Sequence, residues 1–163
     1  MTNISFSQRI RSTYRQTGRI LILCLLFSGL WSCRTGLMAS QGISGIVVWF
    51  EGDLLPGIGK EPVEGIPAER KIYVYRPTLA AQAEVREYVF YNAITTELIK
   101  KVSTDQMGNF KIKLEPGTYS VFTEEPNGLF ANRFDEEGYL NPVQVAKGEW
   151  TDIVIRIDYR AAY

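Results

Sequence analysis

STDQMGNFKIKLEPGTYSVF, residues 103–122, decides how this chain is read. Phe110, Ile112 and Leu114 alternate with Lys111 and Lys113. That period of two marks a strand with one face buried and one face in water. Glu115-Pro116-Gly117-Thr118 follows, where Pro116 presets φ for a turn and Gly117 allows the positive φ of a type II turn. Tyr119 and Val121 then alternate with Thr118 and Ser120. Upstream, Asp105 stands where a carboxylate caps a turn and Gly108 where a glycine closes one. With 98–103 leading in, the stretch predicts a meander of three antiparallel strands, the last two joined as a hairpin. Phe110, Ile112, Leu114 and Tyr119 are expected in the core.

Working outward, the same alternation recurs. GISGIVVWF (42–50) predicts a first strand, with Ile43, Ile46, Val48 and Phe50 marking one face and a bulge at Gly45. Residues 51–69 hold four Gly and three Pro and read as a long loop, since Pro is excluded from the centre of a sheet. RKIYVY (70–75) is the second strand, 78–84 is Ala-rich enough for a helical turn or two, and 85–93 is one β-branched and aromatic strand. Residues 124–142 form a second long loop, 143–146 a short strand, and WTDIVIRIDY (150–159) the last, with Ile153, Ile155 and Ile157 on one face. Seven or so short strands separated by frequent turns predict an all-β fold, an antiparallel seven-stranded Greek-key β-sandwich over 42–159, with 160–163 as a tail.

The N-terminal end differs in character. Residues 1–19 contain Arg9, Arg11, Arg15 and Arg19 and no acid, and 20–30 (ILILCLLFSGL) are apolar apart from Ser28 and Gly29. A basic segment followed by a short apolar run is the pattern of a secretory signal, and the run is short for a membrane span of about 20 residues. Leu30-Trp31-Ser32-Cys33 then resembles a bacterial lipobox, in which the cysteine is lipidated and becomes the mature N-terminus. The expected organisation is a signal over 1–32, Cys33 as the lipidation site, and a tether over 33–41. Cleavage near Ala39 or Ser40, an uncleaved anchor reaching about Met38, and an incidental Cys33 thiol stay open as alternatives. On the lipoprotein reading the chain is exported and held at the cell envelope, on its periplasmic or surface side, through lipidated Cys33 or the apolar segment.

All 18 acids but only 14 of the 18 basic residues follow Ser32, so the cleaved chain carries about −4. That charge argues against a nucleic-acid partner, which selects a basic face. One cysteine remains after the cut, so the domain relies on its apolar core and not on disulfides.

The order of these elements resembles the carboxypeptidase regulatory-like domain, a family with the transthyretin-like (prealbumin-like) sandwich. The resemblance spans roughly 42–158 and rests on GISGIVVW, KIYVY, TDIVIRIDY and the thread Thr104-Asp105, Gly108, Phe110, Pro116-Gly117 and Tyr119. The insertion at 51–69 and the loop at 124–142 depart from it. The resemblance implies a non-catalytic accessory or binding module and carries over no catalytic residue and no cofactor.

The residue inventory points the same way. The chain has no histidine, which removes the usual triad base and the commonest zinc ligand. Paired carboxylates acting as an exported hydrolase are a third reading, behind a calcium- or glycan-dependent adhesin-like module. For calcium the weak candidates are Asp135, Glu136 and Glu137, which fit no EF-hand spacing. For a protein or glycan partner the candidates are Phe130, Asn132, Phe134 and Tyr139 of the 124–142 loop, aromatics rimmed by amides. The opposing expectation is that these rings fold back as an apolar plug, because so long a loop needs anchors to order itself.

Overall fold

The computed structural model describes residues 40–59 and 61–163. The signal-like segment and Cys33 lie outside the described residues. The strands are β1 (Gly42–Asp53), β2 (Ile66–Pro67), β3 (Lys71–Tyr75), β4 (Ala83–Glu87), β5 (Phe90–Ile94), β6 (Leu98–Ser103), β7 (Asn109–Lys113), β8 (Gly117–Glu125), β9 (Gly128–Phe130), β10 (Pro142–Val145) and β11 (Trp150–Ala162). The Ala-rich segment supplies a single 3-10 turn at Ala80–Gln82. The fold is an all-β sandwich. One sheet has four strands, with β11, β2 and β7 all against β1. The other has seven, in the order β4-β5-β9-β8-β3-β6, with β10 also against β8.

The expected alternation holds where it was clearest. Phe110, Ile112, Leu114 and Tyr119 are buried, Ile155 and Ile157 with them, and Ile153 packs against them half-buried. Their partners between the sheets are Ile43, Val47, Ile72, Val74, Val121 and Phe130. A smaller cluster of Tyr75, Tyr91, Phe122, Ala131 and Leu140 lies beside it.

The hairpin does not form. β7 pairs with β1, from Gly42↔Lys113 to Ile46↔Asn109, while β8 pairs with β3, β9 and β10, and β6 pairs with β3. Residues 114–116 therefore arch from one sheet to the other, and the three strands are no meander. Gly117 closes no type II turn; at φ +154°, a value side-chain-bearing residues rarely adopt, it already begins β8. The Tyr119 hydroxyl donates to the Glu115 carbonyl at 2.8 Å and pins the arch, while Leu114 fills its inner side. Alternation dictates which side chains face inward, but an arch and a hairpin satisfy it equally.

The other turn forms as expected. The Asp105 carboxylate accepts the N–H groups of Met107 (2.9 Å) and Asn109 (2.8 Å). Hydrogen bonds from the Asn109 side chain and backbone hold Asp105 below the usual carboxylate range. Gly108 has φ +76°, and a Cβ there would meet the Val47 carbonyl.

Four further expectations are corrected. First, the sandwich is not wholly antiparallel: β1 and β11 run parallel from Gly42↔Trp150 to Asp53↔Ala162. No turn joins these strands, so nothing local sets their relative direction. Second, β1 turns Ile43 and Val47 inward, both fully buried, while Ile46, Val48 and Phe50 face the other way. Gly65 of the following loop packs on Val48 and Phe50, which explains their apolar character. The register shift lies between Trp49 and Glu51, not at Gly45. Third, 85–93 is not one strand but the β4–β5 hairpin, reversed at Tyr88 with φ +49°. No glycine or asparagine marks that turn in the sequence. Fourth, 124–142 is not all loop. Phe130 in β9 lies opposite Thr123 of β8, and Pro142 in β10 opposite Ser120. The chain between them, 131–141, is an excursion from a nearly continuous strand line.

Candidate binding surface

The excursion is anchored at its base by Asn141. Its side-chain oxygen accepts the Arg133 N–H at 2.9 Å, its Nδ2 donates to the Val121 carbonyl at 3.1 Å, and its own N–H reaches the Arg133 carbonyl at 2.9 Å. Asn141 adopts φ +40°, a region asparagine tolerates better than most residues. Leu140 is fully buried, and its N–H donates to the Thr78 carbonyl at 2.9 Å.

The four residues expected to form a partner site do not converge. Phe130 is 1% exposed and belongs to the core, tilted against Phe90 and Tyr159 with each ring centroid 5.7 Å away. Phe134 is 55% exposed. Tyr139 is half-buried beside Asp135 and Glu137 in a shallow hollow that also takes in Pro77 and Thr118. Asn132 turns toward the other sheet, where its Nδ2 donates to Asp158 Oδ1 (2.9 Å) and the Arg156 carbonyl (3.4 Å). So the plug expectation describes Phe130, and Phe134 alone of the two phenylalanines presents a free ring.

Asp135, Glu136 and Glu137 make a turn. Gly138 N–H donates to the Asp135 carbonyl at 3.1 Å, and Tyr139 N–H to Asp135 Oδ1 at 2.8 Å. Among the described residues no three acidic, histidine or cysteine side chains gather as a metal site.

A groove does form, between the outer edges of β10 and β11. Among the described residues β10 pairs only with β8 and β11 only with β1, which leaves an edge of each without a strand partner there on this side of the sandwich. The groove encloses about 280 Å³. Val121, Val143, Ile153 and Ile155 give it an apolar floor, and Asn132, Asn141, Gln144 and Thr151 give it hydrogen-bonding walls. Arg133 and Arg156 stand at the same opening. Arg156 is engaged by Asp158 at 3.1 Å and lies over the Phe50 ring at 4.0 Å. Arg133 is exposed and makes no ion pair among the described residues. Among the described residues no carboxylate lines the groove. Apolar surface with a few placed polar groups suits binding.

One charged cluster was missed from the sequence. Glu125 has a side chain 0% exposed, paired to Arg70 Nε at 2.7 Å, and accepts the Tyr159 hydroxyl at 3.1 Å. The Tyr159 ring stacks edge-on against Trp49 (5.0 Å) and Phe90 (4.8 Å). Burial, and then the Glu125 charge, push the Tyr159 hydroxyl up from its usual range. Extending the inward positions of β8 (Tyr119, Val121, Thr123) by two would have placed Glu125 inside. Both its oxygens are occupied, one by Arg70 just before β3 and one by Tyr159 of β11, an arrangement that holds the fold.

No family model, no curated protein and no solved structure matches this chain.

Proposed function

We propose that this chain is a non-catalytic, exported β-sandwich module, anchored at a bacterial envelope through Cys33, that works by binding a partner along the β10–β11 groove. The observation that carries the reading is the lining of that groove: aliphatic floor, amide and hydroxyl walls, two guanidinium groups and, among the described residues, no carboxylate. Acid–base or nucleophilic chemistry needs a titrating group beside its substrate, whereas the buried carboxylate of Glu125 is spent on Arg70 and Tyr159. The basic and apolar N-terminal segments and Leu30-Trp31-Ser32-Cys33 support the envelope address. The thread shared with carboxypeptidase regulatory-like domains supports an accessory role, since Asp105, Gly108 and Tyr119 each hold a turn or arch.

The test is photo-crosslinking in native membranes with the reactive group placed at Gln144 on the groove, and at Lys100 on β6 as the control. A defined adduct from Gln144 and none from Lys100 is expected. Equal adducts from both positions, or none from either, would overturn the reading. A glycan-binding alternative rests on Phe134, whose exposed ring could stack on a sugar; retention on a glycan array lost in Phe134→Ala would favour it.

A further inference from the structure

β11 is 13 residues long, and β1 covers only one of its edges. Three contacts reveal which backbone groups face the other way. The Glu149 carbonyl, just before β11, accepts the Gly42 N–H at 3.1 Å. The Ile153 carbonyl lies so close to Gly45 that a Cβ there would collide with it. The Arg156 carbonyl instead meets the Asn132 side chain at 3.4 Å, away from β1. In a strand the direction of the backbone groups alternates residue by residue. Odd-numbered residues of β11 therefore serve β1, and Asp152, Val154 and Arg156 point their N–H and C=O groups outward.

The open edge has limits. Beyond Arg156 the excursion covers it, through Asn132 on the Arg156 carbonyl and on Asp158. Before it, the turn at 146–149 returns from β10. What remains is 151–155, with Val154 57% exposed on one side and the apolar groove on the other. The neighbouring edge of β10 is a poor template. Pro142 has no N–H to offer, and the Thr151 hydroxyl already occupies the Gln144 carbonyl at 2.6 Å.

We propose that 151–155 of β11 accepts an extended segment of a partner protein as an added strand, one that alternates apolar residues and carries an acidic residue at the Arg156 end. The proposal rests on the binding-module reading and names the partner's chemistry. Backbone hydrogen bonds to Asp152 and Val154 supply the pairing, and alternate side chains of the segment enter the groove. Its volume of about 280 Å³ suits side chains of a strand and not a large ligand. The acidic residue answers Arg133, the exposed guanidinium next to Asn132 and free of ion pairs among the described residues. Asp152, at the other end, is engaged by the Ser44 hydroxyl at 3.3 Å and disfavours acid there. A second copy of the chain fits less well. Two-fold pairing within the window centres on Ile153 and sets Asp152 against Val154 of the other copy. The centre that would match Asp152 with Arg156 needs the stretch the excursion covers.

The experiment uses the full-length chain in detergent micelles and fluorescence anisotropy. The probes are short fluorescein-labelled peptides of alternating valine and threonine, ending in two aspartates or in two lysines. Binding of the aspartate peptide is expected, with the lysine peptide weaker by roughly tenfold or more. Val154→Pro removes an outward N–H without touching the β1 ladder, so it should abolish binding at an unchanged melting temperature. Should that variant fail to fold, Arg133→Glu decides: on this exposed site it should reverse the preference between the two peptides. Equal binding of both peptides, no binding of either, or a folded Val154→Pro that still binds would overturn the proposal. So would a dimer of the chain alone that Val154→Pro makes monomeric. Gln144 adducts without peptide binding would sink strand addition and leave the module reading standing; peptide binding without adducts would keep the groove as a binding surface and overturn the claim that its partner resides in those membranes.

Discussion

Phe130 and Phe134 are four residues apart and have opposite fates. Phe130 sits between Phe90 and Tyr159 in the core, whereas the Phe134 ring is 55% exposed. Phe130→Ala should cost about 3–5 kcal/mol, and Phe134→Ala less than about 0.5 kcal/mol, in denaturant unfolding. Comparable losses for the two would mean that the excursion packs differently. The Arg70–Glu125 pair has a sharper signature. Arg70→Ala strands a carboxylate whose side chain is wholly inside, at a cost of about 3–5 kcal/mol. Adding Glu125→Leu to Arg70→Met should return most of that loss, because the uncompensated charge is then gone. A double variant no more stable than Arg70→Ala would show that the pair's contribution is not one of charge compensation. Nothing marks Phe130 off from Phe134 by residue type; only the pairing of Phe130 with Thr123 and with Phe90 does.

At the scale of elements, the parallel β1–β11 pair depends on close approach at Gly45. A Cβ there meets the Ile153 carbonyl, a backbone atom that cannot swing aside. Gly45→Ala should therefore destabilise by at least about 2 kcal/mol, more than an ordinary Gly→Ala change on an exposed strand. Calorimetric unfolding close to wild type would place the strands further apart than described. The β7–β8 arch makes the complementary case. Its strands were legible from Phe110 to Tyr119, and so was the inward face. Its partners were not, because Pro116-Gly117 suits a hairpin within one sheet as well as a crossing between two. The groove was hidden for the same reason, since it exists only where the open edges of β10 and β11 meet.

For the whole molecule, the prediction concerns its address. If Cys33 carries lipid, Cys33→Ala should leave the protein in the soluble fraction or unprocessed, read by fractionation and intact mass. Membrane attachment and mass identical to wild type apart from the substituted side chain would rule out lipidation. By itself the amino-acid order determined that the chain is all-β, where most strands lie, which residues of β7 and β11 face inward, and how Asp105 caps its turn. These are local consequences of alternation and turn chemistry, visible within a few residues. Only the tertiary structure decided that β1 and β11 run parallel, that β7 and β8 part to different sheets, that β1 turns Val47 and not Val48 to the core, and that Glu125 lies buried against Arg70. Each of those depends on which distant segment supplies the partner, and an alternating strand accepts a neighbour on either edge, in either direction, until the whole core is closed.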